Sequence, residues 1–344
     1  MKKVLVTGIT GQDGSHMCDY LLKFTDFQIF GTVRRLSVKN HENIEHLEGN
    51  PRFHILDMDL NDAHSIRDVI LEIQPDYFIN FAAQSFVAGS WKYPIQTWET
   101  DSNAVLHILE SIRRFAPHCK FYNAGSSEEF GDVEYSPQDE KHPLNPQSPY
   151  GAAKCAARHL VRVYRESYKL YAVQGWLFNH EGSRRGLDFV TRKISNSVAK
   201  IKHSIEKNKP IPKLKLGNLD ARRDWSDAED FMDGVWLMLN LKEPKNYVLG
   251  SGEMHTVRDF ILECLSLASI EYLISGNGLS EKIKLKDGTV IVEVDEKFYR
   301  PAEVHELCGD PKLAETEIGW KRKTDFKGLV KKMYENDYRL VSSK

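Results

Sequence analysis

The 344-residue sequence has no apolar run long enough to cross a bilayer, which argues against an integral helical membrane protein. Cysteine is scarce and unpatterned. Cys18, Cys119, Cys155, Cys264 and Cys308 are odd in number, far apart and without a C-x-x-C pair. This argues for free thiols in a reducing compartment and against a zinc site, and no metal is expected. Neither charge sign is in excess. Lys and Arg number 47 against 49 Asp and Glu, a net charge of −2, so neither nucleic acid nor a membrane is an expected partner. Internal repeats and low-complexity stretches are absent. Met1-Lys2-Lys3 is followed only by Val4-Leu5-Val6 before glycines interrupt, so no targeting segment is expected and the chain is placed in the cytoplasm.

What is present is 41% apolar residues, enough for a large core and two lobes. Short apolar runs suited to buried strands recur near Val4–Thr7, Gln28–Val33, Phe53–Leu56, Tyr77–Phe81, Lys120–Ala124 and Val173–Phe178. Helix-patterned segments lie between them, near Ser15–Lys23, Ala63–Ile73, Val105–Phe115 and Gly151–Tyr168. The alternation predicts an α/β fold, a Rossmann-type doubly wound parallel sheet whose ligands bind at the carboxyl ends of its strands. Residues 1–178 are expected to form this dinucleotide-binding domain, with about 227–250 packing onto it. Residues 179–344 would mainly form a smaller, discontinuous, interleaved α/β lobe for substrate.

The first turn reads T-G-I-T-G-Q-D-G, with Gly8, Gly11 and Gly14 after a strand and opening a helix. Bare backbone there can approach a pyrophosphate, and the helix amino terminus attracts it. Thr10, Gln12 and Asp13 complete the candidate cofactor turn. The second strand ends in Val33-Arg34-Arg35, where an acid would suit the 2′-hydroxyl of NAD and cations suit a 2′-phosphate, so NADP is predicted. Asp59 and Leu60 would lie by the adenine, although Asp59 could equally cap the helix ahead of Ala63. Ala82, Ala83 and Ser85 would lie by the ribose and phosphates.

Tyr150 and Lys154, in S-P-Y-G-A-A-K, stand four apart behind Pro149 and should share one face of a new helix. A phenol becomes a useful base when a neighbouring positive charge stabilises its phenolate, and Lys154 could supply that charge. The fifth strand ends in Ala124-Gly125-Ser126-Ser127-Glu128-Glu129-Phe130-Gly131. Ser126 offers a hydroxyl to position substrate, and Glu128 a carboxylate to move a proton. Of the two glutamates one is expected to be a solvated loop acid, and Glu128 is the candidate for chemistry.

These strings resemble the extended short-chain dehydrogenase/reductase family and, within it, the GDP-mannose 4,6-dehydratases. V-R-R, A-A-Q-S, Y-R-E-S-Y, L-F-N-H-E-G-S-R-R-G, F-V-T-R-K-I, L-G-N-L-D-A-R-R-D-W and R-P-A-E-V carry the resemblance along nearly the whole chain. It implies a GDP-sugar 4,6-dehydratase with NADP as cofactor. Tyr150, with Lys154 and Ser126, would take the 4-hydroxyl proton as hydride leaves C4. Glu128 would take the proton of C5 and assist loss of the 6-hydroxyl, and hydride would return to C6. The resemblance also implies a homo-oligomer, a tetramer. An epimerase or C4 oxidoreductase of the same fold would keep Tyr150 and Lys154 without requiring Glu128, and a non-catalytic NADP sensor would be expected to lose one of that pair.

The chain departs from the family's usual loop, S-T-S-E-L-Y-G, with Gly125, Ser126, Glu129 and Phe130 in place of Ser, Thr, Leu and Tyr. Ser126 keeps the hydroxyl and loses a methyl. Ser85-Phe86-Val87-Ala88-Gly89-Ser90-Trp91 also differs, so GDP-manno-heptose, one carbon longer, is a candidate substrate beside GDP-mannose.

In the carboxyl-terminal half, the resemblance assigns His180 and Arg185 to the cofactor and Asn179 to the sugar diphosphate, with a capping or turn role open for His180. Lys193, on a helix from Phe189 into Ile201, and Leu216 are further substrate candidates. Arginine suits bidentate phosphate contacts. By resemblance Arg223 and Arg300 meet the diphosphate, Glu303 the GDP ribose, and Asn218 lies nearby. Arg222 is expected to be solvated, Trp225 to be core, and 202–215 to be an exposed basic linker.

Overall fold

The computed structural model describes residues 1–298 and 307–343, and the candidates Arg300 and Glu303 lie outside the described residues. Two compact units emerge. The first comprises Met1–Phe178, Ala228–Gly252 and Leu307–Lys321, the second Asn179–Asp227, Glu253–Glu306 and Arg322–Lys344.

The first unit is built on strands β1 (Lys3–Thr7), β2 (Gln28–Val33), β3 (Phe53–Asp57), β4 (Tyr77–Asn80), β5 (Lys120–Ala124) and β6 (Ala172–Leu177), with Val248–Leu249 as an added edge. They form one seven-stranded sheet in the order Val248–Leu249, β6, β5, β4, β1, β2, β3, and every pairing is parallel. The period-2 alternation of strand side chains feeds a core on each face. Val4 and Val6 pack with Met17, Leu21 and Val235, while Leu5 between them packs with Ile66, Ile70 and Ile108. The order reverses between β1 and β4, and the carboxyl-end crevice there is where this fold binds ligands.

Helices α1 (Gln12–Phe24), α2 (Ala63–Ile73), α3 (Val87–Lys92), α4 (Pro94–Trp98), α5 (Ala104–Phe115) and α6 (Pro149–Tyr168) flank the first six strands, and helix Ala228–Leu239 adds cover on the α1 side. The sequence reading places β1 to β6 and helices α1, α2, α5 and α6 within a few residues, and does not foresee α3, α4 or the edge strand Val248–Leu249. No helix among the described residues is long and apolar enough to cross a membrane.

The second unit packs helix Val190–Glu206 against Phe326–Ser342 and Val257–Leu267. A four-stranded sheet runs Leu273–Ser275, Lys282–Lys284, Val290–Val294, Leu214–Leu216. Residues 202–215 therefore do not form an exposed linker. The helix continues to Glu206 because Ile201 and Ser204 still face the core, and Leu214 and Leu216, buried on either side of exposed Lys215, pair in parallel with Val292 and Val294. Trp225 is core, stacked on Phe326 and edge-on to Phe260.

Candidate active site

Ser148 opens α6 by accepting the Gly151 N–H at 3.0 Å, and Pro149 takes the first helical position, where its missing N–H costs nothing. Tyr150 and Lys154 consequently lie one turn apart, both buried, with the Lys154 Nζ 5.7 Å from the centre of the Tyr150 ring. Lys154 is tethered by donating from Nζ to the Ala124 carbonyl at 2.9 Å, where β5 ends. Helix and strand end are thus joined at the reactive pair.

Burial drives the Tyr150 phenol well above its ordinary range, and the Asp101 carboxylate pushes it further, with smaller pushes from Glu128 and Glu129. The hydrogen bond with Ser126 opposes them. Ser126 also caps the short turn Ser127–Glu129, its Oγ accepting the Glu128 N–H at 3.2 Å. Ser126 therefore links the phenol to the backbone of Glu128. Glu128 is half-buried, and its charge acts on Tyr150.

Glu129 departs from the expected solvated acid. It is fully buried, with an ion pair to Arg158, and its Oε1 accepts the Ser126 N–H at 2.8 Å and the Gln174 Nε2 at 3.1 Å. A buried carboxylate persists only when paired and hydrogen-bonded, and the Arg158 fork provides for both. Sequence pattern also missed Asp101, which lies in the π-turn Glu99–Asn103 ahead of α5. One oxygen of this buried carboxylate accepts the Gln84 N–H at 2.8 Å, and burial raises it to about 6 against the pull of Lys154. Its only sequence signal is an acid amid helix-forming residues.

The glycine turn is built for close approach. Gly8 has φ +71°, and a Cβ there would meet the Ala82 nitrogen at 2.8 Å; a Cβ on Gly14 would meet the Gly8 carbonyl oxygen at 2.4 Å. Gly11 donates to the Gly8 carbonyl at 2.9 Å and is the residue before α1, with no side chain capping that helix. Thr10 is held through its carbonyl by Asn43, and Gln12 donates to Asp13. These features fit a dinucleotide phosphate at the crevice between β1 and β4. Ala82 and Ala83 are half-buried after β4, Ser85 is exposed, and Arg34 and Arg35 are exposed just beyond β2. Leu60 is buried in the helix-side core. Asp59 accepts the Asn61 N–H, whereas the cap of α2 is Asp62, which accepts the His64 N–H at 2.9 Å.

Within the second unit, Asn179 and His180 sit on strand Asn179–Glu181, which pairs with Trp225–Asp227. Arg185 pairs with Glu181 at 2.9 Å and lies over Phe189. Lys193 donates to the Lys215 carbonyl at 2.7 Å and lies 4.0 Å from the centre of the Phe298 ring. Asn218 accepts the Asp220 N–H, Arg223 donates to the Arg222 carbonyl, and the Leu216 side chain is committed to the core. Arg222 is exposed. Among the described residues no cluster of three or more His, Cys, Asp or Glu side chains is placed to hold a metal.

A parallel sheet of this order, with a glycine turn after β1 and Ser126, Tyr150 and Lys154 joined at the end of β5, is the architecture of an extended short-chain dehydrogenase/reductase. A solved dTDP-glucose 4,6-dehydratase from Streptomyces venezuelae, with NAD bound, shares the fold at a TM-score of 0.81 and 20% identity, over 98% of this chain and 97% of that one. Sequence narrows the class. Residues 5–333 match the GDP-mannose 4,6 dehydratase family, and the chain belongs to it. The GDP-mannose 4,6 dehydratase of Drosophila melanogaster is 40% identical over 350 residues, 99% of this chain and 87% of that one. The Homo sapiens enzyme is 41% identical over 346 residues, 98% and 91% of the two chains.

Proposed function

We propose that this nucleotide-sugar 4,6-dehydratase converts GDP-mannose, or its one-carbon-longer homologue GDP-manno-heptose, to the GDP-4-keto-6-deoxy sugar with NADP as its nicotinamide cofactor. The observation that carries the reading is the position of Ser126, whose hydroxyl acts on the Tyr150 phenol to lower its pKa and accepts the Glu128 backbone N–H. An alcohol-oxidising base and a second proton carrier are thereby tied together, as an oxidation and an elimination on adjacent carbons require. A C4 oxidoreductase has no use for the second.

The turn of Gly8, Gly11 and Gly14 would receive the pyrophosphate, with Arg34 and Arg35 meeting the 2′-phosphate, and Asp59, Leu60, Ala82, Ala83, His180 and Arg185 completing the cofactor's contacts. The nicotinamide supplies a reversible hydride store. Tyr150 takes the proton of the 4-hydroxyl, with Ser126 holding that oxygen and Lys154 orienting the site. Once C4 is a ketone, the C5 proton is acidic, and Glu128 takes it and delivers it to the 6-hydroxyl as water leaves. Ser85, Asn179, Lys193, Asn218, Arg223, Arg300 and Glu303 would hold the GDP-sugar, while Leu216, whose side chain is in the core, would serve only to shape the backbone beside it. The protein is read as a cytoplasmic homo-oligomer, a tetramer.

Product analysis with each GDP-sugar offered separately tests this. A 4-keto-6-deoxy product without net NADPH consumption is expected, and Glu128→Gln should lower its formation about 10²–10⁴-fold while cofactor still binds. A product that retains its 6-hydroxyl, or full turnover by the variant, removes the assignment.

A further inference from the structure

The two places where the catalytic loop departs from S-T-S-E-L-Y-G at its first and fifth positions meet each other in space. Glu129 accepts the Ser126 N–H, completing a reciprocal cap in which Ser126 accepts the backbone of its own turn. Arg158, one turn after Lys154 on α6, grips both oxygens of Glu129 through Nε and Nη2 and donates to the backbone carbonyls of Gln174 and Gly175 on β6. Its guanidinium lies 3.5 Å from the centre of the Trp176 ring. A Cβ on residue 125 would stand 2.7 Å from Arg158 Nη2, 2.7 Å from Glu129 Oε1 and 2.2 Å from the Gly175 carbonyl oxygen. Gly125 therefore leaves room both for the β6 backbone, which a side chain would meet first, and for the ion pair beside it.

We propose that Glu129 and Arg158 are positioning residues for the dehydration, holding Ser126 and Glu128 against Tyr150 and Lys154 by tying the loop, α6 and β6 together, and that Gly125 is part of the same device. This rests on the roles given above to Ser126, Glu128 and Tyr150. Arg158 shares a helix with the reactive pair, and Glu129 shares a turn with the two residues that must meet it. The ion pair thus adds a side-chain link between loop and helix to the Lys154–Ala124 and Cys155–Glu129 contacts. A leucine at 129 offers no acceptor to the Ser126 N–H, so a chain with the usual spelling must hold its loop by other means.

Removing one partner leaves a buried charge uncompensated and endangers the fold, whereas removing both together need not. The test therefore compares Glu129→Leu/Arg158→Leu with Glu129→Gln/Arg158→Leu, which differ in whether residue 129 still offers an oxygen to the Ser126 N–H and the Gln174 amide. Both lose the Arg158 bonds to β6 and should melt below the wild type, the first more so because it also leaves the Gln174 amide without its acceptor at 129, while both bind NADP and GDP-sugar with unchanged affinity. The first should lose kcat about 10–100-fold at unchanged KM, and the second should recover most of it. Amide exchange of residues 125–130 is read on the same proteins, with faster exchange expected in the first variant and not in the second. Wild-type kcat and wild-type exchange in the Leu/Leu protein, or equal loss in both variants, overturns the inference. A wild-type protein that dehydrates neither sugar overturns the functional reading instead, and the exchange comparison still decides whether the pair holds the loop.

Discussion

Asn80 donates its side-chain amide to the side-chain carbonyl of Asn123 at 2.7 Å, directly across the pairing of β4 with β5. The same register carries a buried polar row over four strands. Thr7 on β1 donates to Asn80 at 2.6 Å, and Asn123 donates to Gln174 on β6 at 2.7 Å. Gln174 in turn donates to Glu129 and to the Lys154 carbonyl, both at 3.1 Å. At the other end, Thr7 Oγ1 accepts the N–H groups of Phe81 and Ala82, beside the glycine turn.

Every member of this row is satisfied by its neighbours, so a cut in the middle should propagate. Asn123→Ala leaves the Asn80 amide and the Gln174 carbonyl unmatched in a dry interior, at about 1–3 kcal/mol each. Chemical denaturation should show a loss of that size. A loss within about 0.5 kcal/mol, the range of ordinary surface changes, would show that the row is not a stabilising unit.

Gly8→Ala combines a left-handed backbone with a contact of 2.8 Å to the Ala82 nitrogen. Overpacking of this kind costs about 1–3 kcal/mol, or about 10–100-fold if it falls on binding. The dinucleotide dissociation constant, followed by fluorescence titration, should rise by that factor. Unchanged affinity and melting temperature would place the cofactor elsewhere.

Replacing Arg34 and Arg35 by alanine should weaken NADP while leaving NAD where it was. A charged hydrogen bond is worth about 1.5–3 kcal/mol, so about a 10–100-fold loss is expected for the phosphorylated cofactor alone. Parallel losses for both cofactors would assign the arginines a structural role.

Asp101 gives a pH prediction with a definite sign. Burial first, against the pull of Lys154, raises its carboxyl from 3.8 to about 6, so the folded state holds the proton more tightly than the unfolded chain. Its contribution to stability is full below about pH 4 and is lost as pH rises to about 6 and beyond, by about 3 kcal/mol in all. Asp101→Asn keeps an acceptor for Gln84 and removes the charge. Relative to wild type it should gain stability on going from pH 4 to pH 7.5, and it should lower the apparent pKa of the phenol in the pH–rate profile. Identical pH dependence of the two proteins would contradict this account.

The parallel sheet was readable because its strands are continuous apolar runs between breakers, as in Val4-Leu5-Val6 and Phe121-Tyr122. The glycine turn and the Tyr150/Lys154 pair were readable because their chemistry is written in short local spacing. Glu129 was not, since a carboxylate after another carboxylate looks the same whether it meets water or an arginine 29 residues further on. Asn80, Asn123 and Gln174 each look like a polar interruption of an apolar strand, and only the register joins them. Residues 202–215 read as a linker because their many lysines mask the alternating leucines that follow, whose partner strand lies some 80 residues later in the chain.

Gly125 also sets how closely the catalytic loop can lie against its neighbouring strand. Any side chain there would press first on the Gly175 carbonyl oxygen, at 2.2 Å, and then on Arg158 and Glu129, so β6 itself, and not the ion pair alone, would have to withdraw before a larger residue could be admitted.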